Sequence, residues 1–304
     1  MAHRATAGFG ARRYLTLAAT LAALALPLAA VPAAHAARGL SQRAVLSARV
    51  RHVRVGGVDF AYRSIGSGRP LLLPSALGSR MSGWDPALLA RAAAGHRVIV
   101  YDHRGVGLSR GDVSHMSMAQ LADDAARLIR KLRLGRPDVW GQRMGGSVAE
   151  LLAIRHPTRV RRLVLTAALA GGGHYVNTLG GAPWYTDFTP DAAGRAAQRA
   201  YEARAARWRP QETISPAASS AEFAMAARYL VLPAEGAWRG LPRVRARVFV
   251  AGGRRDVVAP PVNSRIIAAR LRHATLRFYP SGHGFHIQNR GRFVPDMLRF
   301  LAKR

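Results

Sequence analysis

The amino-acid sequence predicts an α/β fold in which a mainly parallel central sheet is flanked by helices. Short apolar runs, typical of strands buried on both faces, alternate with longer segments whose apolar residues recur at helical spacing. Hydrophobic residues make up 49% of the 304 positions, so the composition supports a sizeable core. Strand and helix alternate regularly, and this alternation favours parallel strands covered by helices.

The predicted elements follow a regular order along the chain. Residues 51–55 and 58–64 predict a hairpin around Gly56 and Gly57, and residues 70–74 predict a buried strand. Helices are then predicted over 84–93, 118–132 and 145–155, and strands over 97–102, 137–140 and 160–168. The order resumes after residue 240 with a strand over 248–252, a helix over 261–271, a strand over 275–279 and a helix from about residue 292.

The alternation breaks at residues 171–173, which are all glycine. From there to about residue 240 the chain is helical in pattern and rich in aromatic residues: Trp184, Tyr185, Tyr201, Trp208, Tyr229 and Trp238. A stretch of about 70 residues is too long for a plain loop, so we expect a helical cap inserted after the sixth strand. The predicted organisation is a core in two parts, 37–169 and 241–304, with a cap over 170–240. The aromatic residues either line an apolar ligand pocket or pack within the cap.

The first 36 residues predict an export signal. Residues 1–14 carry Arg4, Arg12 and Arg13 and no acid, residues 15–31 are apolar, and residues 34–36 read Ala-His-Ala. A basic start, an apolar stretch and a small-residue cleavage pattern together are typical of a secretory signal. The alternative is an uncleaved anchor, since the apolar run approaches the length that spans a bilayer. We therefore expect an exported protein, periplasmic or secreted, with N-terminal membrane anchoring as the alternative.

The chain is strongly basic, with a formal net charge of +30 from 46 Lys and Arg against 16 Asp and Glu. Only Lys131 and Lys303 are lysine, but an Arg-for-Lys bias leaves charge unchanged and cannot explain the shortage of acids. One interpretation is a highly soluble basic surface; the other is attraction to an anionic envelope polymer or lipid surface. The arginines are spread along the chain and no nucleic-acid motif is present, so no specific nucleic-acid partner is predicted.

Four short motifs fall at the ends of predicted strands. Residues 102–109 read DHRGVGLS, residues 141–145 read GQRMG, residues 252–256 read GGRRD, and residues 281–284 read SGHG. Ligands of such sheets bind at the carboxyl ends of the strands, so these motifs are expected to converge on one site. The second motif lies between a strand and a helix and has the layout of a nucleophile elbow, Gly-x-Ser-x-Gly, with Arg143 in the serine position.

These motifs, in this order, resemble the α/β-hydrolase superfamily over about residues 50–304, and within it the capped hydrolases of small esters and lactones. The resemblance implies that His283 is the general base and that Asp256 orients it. It also implies an oxyanion hole formed by the backbone amides of Leu77 and Met144. The loop before Leu77 departs from the family pattern, because Ser75 stands in the usual His position and Ala76 in the usual Gly position. Ala76 does not adopt a glycine-like φ as easily, and this puts the oxyanion hole in question.

The presence of Arg143 in the serine position leaves three interpretations of the function. A guanidinium cannot be deprotonated and does not attack a carbonyl, so the first reading is a hydrolase scaffold that is impaired in acyl-enzyme chemistry. Under this first interpretation, Arg143 pairs with Asp256 or binds an anionic ligand in the pocket that holds the substrate in active hydrolases. The second reading is an active hydrolase that uses water activated by His283, or another serine such as Ser75 or Ser147. The third is a basic, envelope-associated protein that binds polyanions through its surface.

No cofactor or metal is predicted. The glycine-rich segments 171–173 and 252–253 lack the Lys-Ser/Thr of a phosphate-binding loop. His283 and His286 have i, i+3 spacing, but no carboxylate cluster accompanies them as a metal site requires. The absence of cysteine excludes disulfides, thiol nucleophiles and thiolate metal sites. The predicted partner is a small-molecule ligand or substrate, and the sequence leaves the oligomeric state undetermined.

Overall fold

The computed structural model describes residues 40–176, 188–208 and 213–303. These residues build one eight-stranded sheet in the order β1-β2-β4-β3-β5-β6-β7-β8. The strands are β1 (Arg51–Val55), β2 (Val58–Ile65), β3 (Arg69–Pro74), β4 (His96–Tyr101), β5 (Asp138–Gln142), β6 (Arg162–Thr166), β7 (Arg247–Gly253) and β8 (Ala274–Tyr279). The pairs β1–β2 and β2–β4 are antiparallel and every other pair is parallel. The mainly parallel sheet predicted from the sequence is confirmed.

Nine helices accompany the sheet in the described part of the chain. They are α1 (Gln42–Leu46), α2 (Pro86–Ala92), α3 (Met118–Lys131), α4 (Met144–Arg155), α5 (Ala192–Ala205), α6 (Pro216–Val231), α7 (Pro261–Arg270), α8 (Phe285–Gln288) and α9 (Arg290–Ala302). Local signals set several of the starts. Asp85, for example, accepts a hydrogen bond from the amide of Ala87 and is followed by Pro86, so α2 begins later than the predicted residue 84.

The two faces of the sheet bury separate apolar clusters. Successive side chains of a strand point to opposite faces, so Val139 packs in one cluster and its neighbour Trp140 in the other. The Val139 cluster takes its helical side chains from α3, α4 and α7 and from the cap helix α6. The Trp140 cluster takes them from α1, α2, α8 and α9. Because helices cover both faces of the sheet, a binding site is expected at the ends of the strands.

A helical cap follows the sixth strand, as predicted, and its described helices are α5 and α6. Polar contacts join α5 to the start of α2. Arg204 donates two hydrogen bonds to the buried carboxylate of Asp85, at 2.8 and 2.7 Å, and the Tyr201 hydroxyl donates to the Gly83 carbonyl at 2.7 Å. Just beyond α5, the indole of Trp208 donates to the Trp84 carbonyl at 3.1 Å. The cap is therefore held on the core by buried hydrogen bonds as well as by apolar packing.

Some sequence-based boundaries differ from the structure. The strand predicted over 160–168 is Arg162–Thr166, and the predicted C-terminal helix is preceded by the short helix α8. The 1–36 export signal, Trp184 and Tyr185 lie outside the described residues. Among the described helices, none is long and apolar enough to cross a membrane.

Candidate active site

Arg143 occupies a tight turn between β5 and α4. Its backbone has φ 54° and ψ −126°, a region that costs a non-glycine residue about 1–3 kcal/mol. Its amide donates to the Thr166 carbonyl at 2.9 Å, which fixes the turn against β6. Gly145 allows α4 to approach β3, because a Cβ there would lie 2.4 Å from the Pro74 carbonyl oxygen. The neighbours of residue 143 therefore hold the elbow conformation, although the residue itself is an arginine.

Asp256 and His283 form a hydrogen-bonded acid–base pair. Nδ1 of His283 lies 2.9 Å from Oδ2 and 3.1 Å from Oδ1 of Asp256, and both side chains are buried. Oδ1 of Asp256 also accepts from the amides of Val258 and Ala259, at 2.9 and 2.8 Å. Asp256 therefore bonds His283 and the backbone, and its pairing with Arg143 stays a prediction. With Nδ1 as the donor to the carboxylate, Nε2 of His283 is left as the proton acceptor.

The loop after β3 places Leu77 beside the elbow. Leu77 and Met144 both line the same cavity, and no hydrogen bond within the described residues uses either of their amides. The positive φ in this loop belongs to Gly78, at 63°, and Ala76 is not among the described residues with positive φ. The substitution of alanine in the family's glycine position is therefore accommodated without left-handed strain. The assignment of the two amides as oxyanion donors stays a prediction.

The motif of residues 102–109 supports the oxyanion loop rather than contacting the cavity. Asp102 is buried and accepts hydrogen bonds from the amides of Met81, at 2.6 Å, and Leu108, at 2.9 Å. Arg104 forms a bidentate ion pair with the buried Asp124, with hydrogen bonds of 2.7 and 2.9 Å. The motif thus ties the loop after β3 to the turn after β4. It acts by positioning the backbone of the site.

Two serines were alternatives to the missing nucleophile, and the structure gives both a structural role. The Ser75 hydroxyl is fully buried and donates to the Tyr101 carbonyl at 2.8 Å. Ser147 lines the cavity, but its hydroxyl donates to the Leu169 carbonyl at 3.3 Å. Among the described residues no hydrogen bond joins either hydroxyl to His283. A nucleophile needs a base within hydrogen-bond reach, so neither serine has the required geometry here.

A cavity of about 510 Å³ lies between the elbow and the cap helix α6. Its wall from the core includes Leu77, Arg80, Arg143, Met144 and His283, and its wall from α6 includes Phe223, Ala226, Tyr229 and Leu230. Tyr175 and Tyr201 also line it, so the described aromatic residues of the cap segment divide between the pocket and packing roles elsewhere. Trp208 is buried away from the cavity, and Trp238 stacks on His174 with ring centroids 4.1 Å apart. The described lining residues include two arginines and one histidine and no carboxylate.

Two buried glutamates that the sequence analysis missed join α6 to the core. Glu150 accepts a hydrogen bond from the Tyr229 hydroxyl at 2.8 Å, and burial raises the pKa of Glu150 to about 8. Glu222 accepts from the amide of Gly78 at 3.2 Å, and burial, with a smaller contribution from Asp102, raises the pKa of Glu222 to about 7. The sequence held one signal for the first, because Glu150 interrupts an otherwise apolar stretch of α4. No signal marked Glu222.

The charge of Arg143 reaches a second histidine beside the site. His286 is buried, and burial, followed by the nearby charges of Arg143 and His283, lowers the pKa of His286 well below its ordinary value. Arg143 and His286 also border a small cavity of about 20 Å³, which is close to the space that one water molecule needs. His286 is therefore neutral at physiological pH. Within the described ranges no group of three or more His, Asp or Glu side chains could hold a metal ion.

The comparisons with known proteins agree with this architecture. Residues 69–290 match the family described as alpha/beta hydrolase fold. A protein of Variovorax paradoxus provisionally named carbamate hydrolase RutD is 30% identical over 78% of this chain and 92% of its own length. An alpha/beta hydrolase fold protein from Chitinophaga pinensis has a TM-score of 0.77 at 24% identity, over 85% of this chain and 99% of its own.

The enol-lactonase of Burkholderia xenovorans superimposes with a TM-score of 0.68 at 23% identity, over 83% of this chain and all of its own. Both structural likenesses are below 25% identity, so they bear on the fold alone. The family match and the Variovorax relative bear on descent as well, because each covers more than two thirds of this chain. The resemblance found in the sequence motifs is thereby confirmed, and the chain belongs to the alpha/beta hydrolase fold family.

Proposed function

We propose that this protein binds a small molecule on a hydrolase scaffold and is impaired in acyl-enzyme hydrolysis of small esters, lactones or amides. The observation that carries the proposal is Arg143, which holds the elbow position beside the hydrogen-bonded Asp256–His283 pair. A serine at this position passes its proton to the histidine and attacks the substrate carbonyl. A guanidinium stays protonated and has no nucleophilic lone pair, so no ester with the enzyme forms.

The cavity supports a small and anionic ligand. Its volume of about 510 Å³ is in the range of small-molecule sites. Arg80 and Arg143 lie in its wall, and a guanidinium fork matches the geometry of a carboxylate. The amino-terminal end of α4 adds a positive dipole at the same wall. A carboxylate or a carbamate fits this chemistry, and the name of the Variovorax relative refers to a carbamate.

A second candidate function is hydrolysis by activated water, and the intact Asp256–His283 pair favours it. In this reaction Nε2 of His283 accepts a proton from a water molecule while the water oxygen bonds to the substrate carbonyl carbon. The charge that develops on the carbonyl oxygen is stabilised by the amides of Leu77 and Met144. The carbon–oxygen or carbon–nitrogen bond of the ester or carbamate then breaks, and His283 returns the proton to the leaving group.

A paired hydrolysis assay separates the two candidates. Short p-nitrophenyl esters, small lactones and carbamates are given to the wild type, Arg143→Ser, His283→Ala and the double variant. We expect background rates for the wild type and a gain in Arg143→Ser that the double variant loses. Wild-type turnover that disappears in His283→Ala would overturn the binding proposal and support water activation. No gain in Arg143→Ser, with the fold intact by circular dichroism, would mean that the remaining site geometry is not that of an acyl-transfer enzyme.

Ligand charge is tested separately by thermal unfolding of the wild type with a series of short carboxylates and the matching uncharged amides. We expect the carboxylates to raise the melting temperature and the amides to leave it unchanged. Arg80→Gln keeps a polar, hydrogen-bonding side chain and removes the charge, so it should weaken the carboxylate effect. Equal effects of carboxylate and amide would contradict an anionic ligand.

We also propose export through the signal in residues 1–36, with the core and cap divided at residues 169–170 and 240–241. The basic start, the apolar run and the Ala-His-Ala pattern support it. Expression of the full chain, followed by cell fractionation and N-terminal sequencing, tests export. We expect an exported mature chain that begins at Ala37. An intact chain in the membrane fraction would instead support the anchored alternative.

A further inference from the structure

A row of arginines follows the edge of the sheet opposite the cavity. Six connections lead into the amino ends of the parallel strands: residues 66–69, 94–97, 133–138, 156–162, 243–247 and 271–274. Together they contain eleven arginines and one acid, Asp138. The loops at the carboxyl ends, which carry the active-site motifs, mix both signs of charge, as in Asp102 with Arg104 and Asp256 with Arg255.

We call six of these residues, at the amino ends of the parallel strands, the amino-edge arginines: Arg69, Arg161, Arg162, Arg245, Arg247 and Arg272. Sheet pairing forces them together, because Arg162 and Arg247 are direct partners in neighbouring strands, and directly opposed like charges are destabilising. Burial and then the charge of Arg161 lower the pKa of Arg162, Asp138 opposes this shift, and Arg247 and Arg69 add to it. Such repulsion is retained in a fold at a cost in stability, which a bound anion would offset.

The one acid in these connections offsets only part of the positive charge of the eleven arginines. Oδ2 of Asp138 accepts from Arg161 at 2.7 Å, and the same arginine also donates to the Leu301 carbonyl at 2.6 Å. Asp138 is fully buried, and its charge acts on Arg161, on His96, whose Nε2 lies 3.8 Å away, and more weakly on Arg162 and Arg69. Arg69, Arg245, Arg247 and Arg272 are all exposed to solvent.

The arrangement of these charges favours a linear polyanion. Neighbouring strands lie about 4.8 Å apart, so the amino-edge arginines, which span the five strands from β3 to β8, form a row about 19 Å long. Arginine forks bind phosphate oxygens in pairs. The large apolar side chains that are exposed in the described residues are Leu40, Val176, Phe223, Val231, Leu232, Val257 and Val262, and none lies in the six connections. An inserting membrane surface would use such apolar residues, and a phosphate polymer does not need them.

We propose that the exposed amino-edge arginines, Arg69, Arg245, Arg247 and Arg272, bind a linear phosphate polymer on the side of the sheet opposite the ligand cavity. Binding is electrostatic and independent of the elbow, so occupation of one site leaves the other accessible. The chemistry recognised is a run of phosphate groups, and no base or sugar contact is involved.

The test uses labelled long-chain inorganic polyphosphate and the purified full chain, with the dissociation constant measured at several salt concentrations. The edge variant replaces Arg69, Arg245, Arg247 and Arg272 by Glu. The control variant replaces four exposed arginines elsewhere by Glu: Arg51, Arg54, Arg110 and Arg199. Arg51 pairs with Tyr62 of β2, and Tyr62 pairs with Tyr101, the last residue of β4. Arg51 therefore lies on the side of the sheet where the parallel strands have their carboxyl ends. Both variants change the formal net charge by the same amount.

We expect the edge variant to bind at least about 10-fold more weakly than the control and to show a shallower salt dependence, because fewer phosphates are neutralised. Equal losses in the two variants would show that only net charge matters and would overturn the proposal. Wild-type binding to anionic phospholipid vesicles without binding to polyphosphate would also overturn it. If the Glu variant does not fold by circular dichroism, the matching quadruple Gln variants are compared in the same way.

Discussion

Glu222 offers a direct test of how the cap is held on the core. The carboxyl group lies on the cap helix α6, is fully buried, and accepts a hydrogen bond from Gly78 in the oxyanion loop. Burial raises its pKa from 4.5 to about 7, and the negative charge of Asp102 adds to the effect. The native protein therefore keeps a proton on Glu222 over a pH range in which the unfolded chain has released it.

The direction and the size of the effect follow from this difference in proton binding. The free energy of unfolding falls as pH rises from about 4.5 to about 7, because the native state binds the extra proton there. A rise of this size corresponds to about 3 kcal/mol at 1.36 kcal/mol per pKa unit. In Glu222→Gln the side chain still accepts from Gly78 and no longer ionises. Between pH 5 and pH 8 the free energy of unfolding of the variant should therefore rise by about 2–3 kcal/mol relative to that of the wild type.

Urea unfolding of both proteins at pH 5 and pH 8 measures this gain. Glu202→Gln is the matched control, because Glu202 is an exposed glutamate of the cap helix α5 and undergoes the same chemical change. The control should show no pH-dependent gain. A difference between Glu222→Gln and wild type that does not change with pH, or a wild type that is the more stable at pH 8, would refute the reasoning.

Three further substitutions test individual contacts, each by urea unfolding. Tyr229→Phe removes the hydroxyl that joins α6 to a buried carboxyl of α4 and should cost about 1–2 kcal/mol; an unchanged unfolding midpoint would contradict the contact. Arg204→Met leaves the buried Asp85 without its partner and should cost about 3 kcal/mol; a loss below about 0.5 kcal/mol would indicate a solvated pair. Gly145→Ala places a Cβ against the backbone of β3 and should cost about 3 kcal/mol or prevent folding; a stable variant would mean that the elbow and β3 can separate.

The strand order along the chain and the acid–base pair were both accessible from the sequence. A wholly apolar run such as Leu163-Val164-Leu165 in β6 needs no tertiary information to be recognised as a buried strand, and local turns fix the hairpin of β1 and β2. Asp256 and His283 follow neighbouring parallel strands, and such strands end at the same edge of the sheet. The distance of 2.9 Å between Nδ1 of His283 and Oδ2 of Asp256 is consistent with that placement.

The contacts of the cap could not be predicted in the same way. Glu222 and Gly78 are 144 positions apart, and no periodicity relates a cap helix to a loop of the core. Ser75 remained a candidate nucleophile in the sequence because a hydroxyl is equally suited to attack and to turn formation. Its partner, the Tyr101 carbonyl, belongs to a neighbouring strand, and only the folded sheet brings the two together.

The elbow also makes the protein a convenient carrier for a chemical probe. Its turn is held by the backbone around residue 143, so a different side chain at that position would be presented at the same point of the cavity wall. The chain has no cysteine, and Arg143→Cys would introduce a single thiol at the start of α4, where the helix dipole favours the reactive thiolate. A fluorophore attached there would report on ligand entry from inside the pocket, with no competing site of labelling.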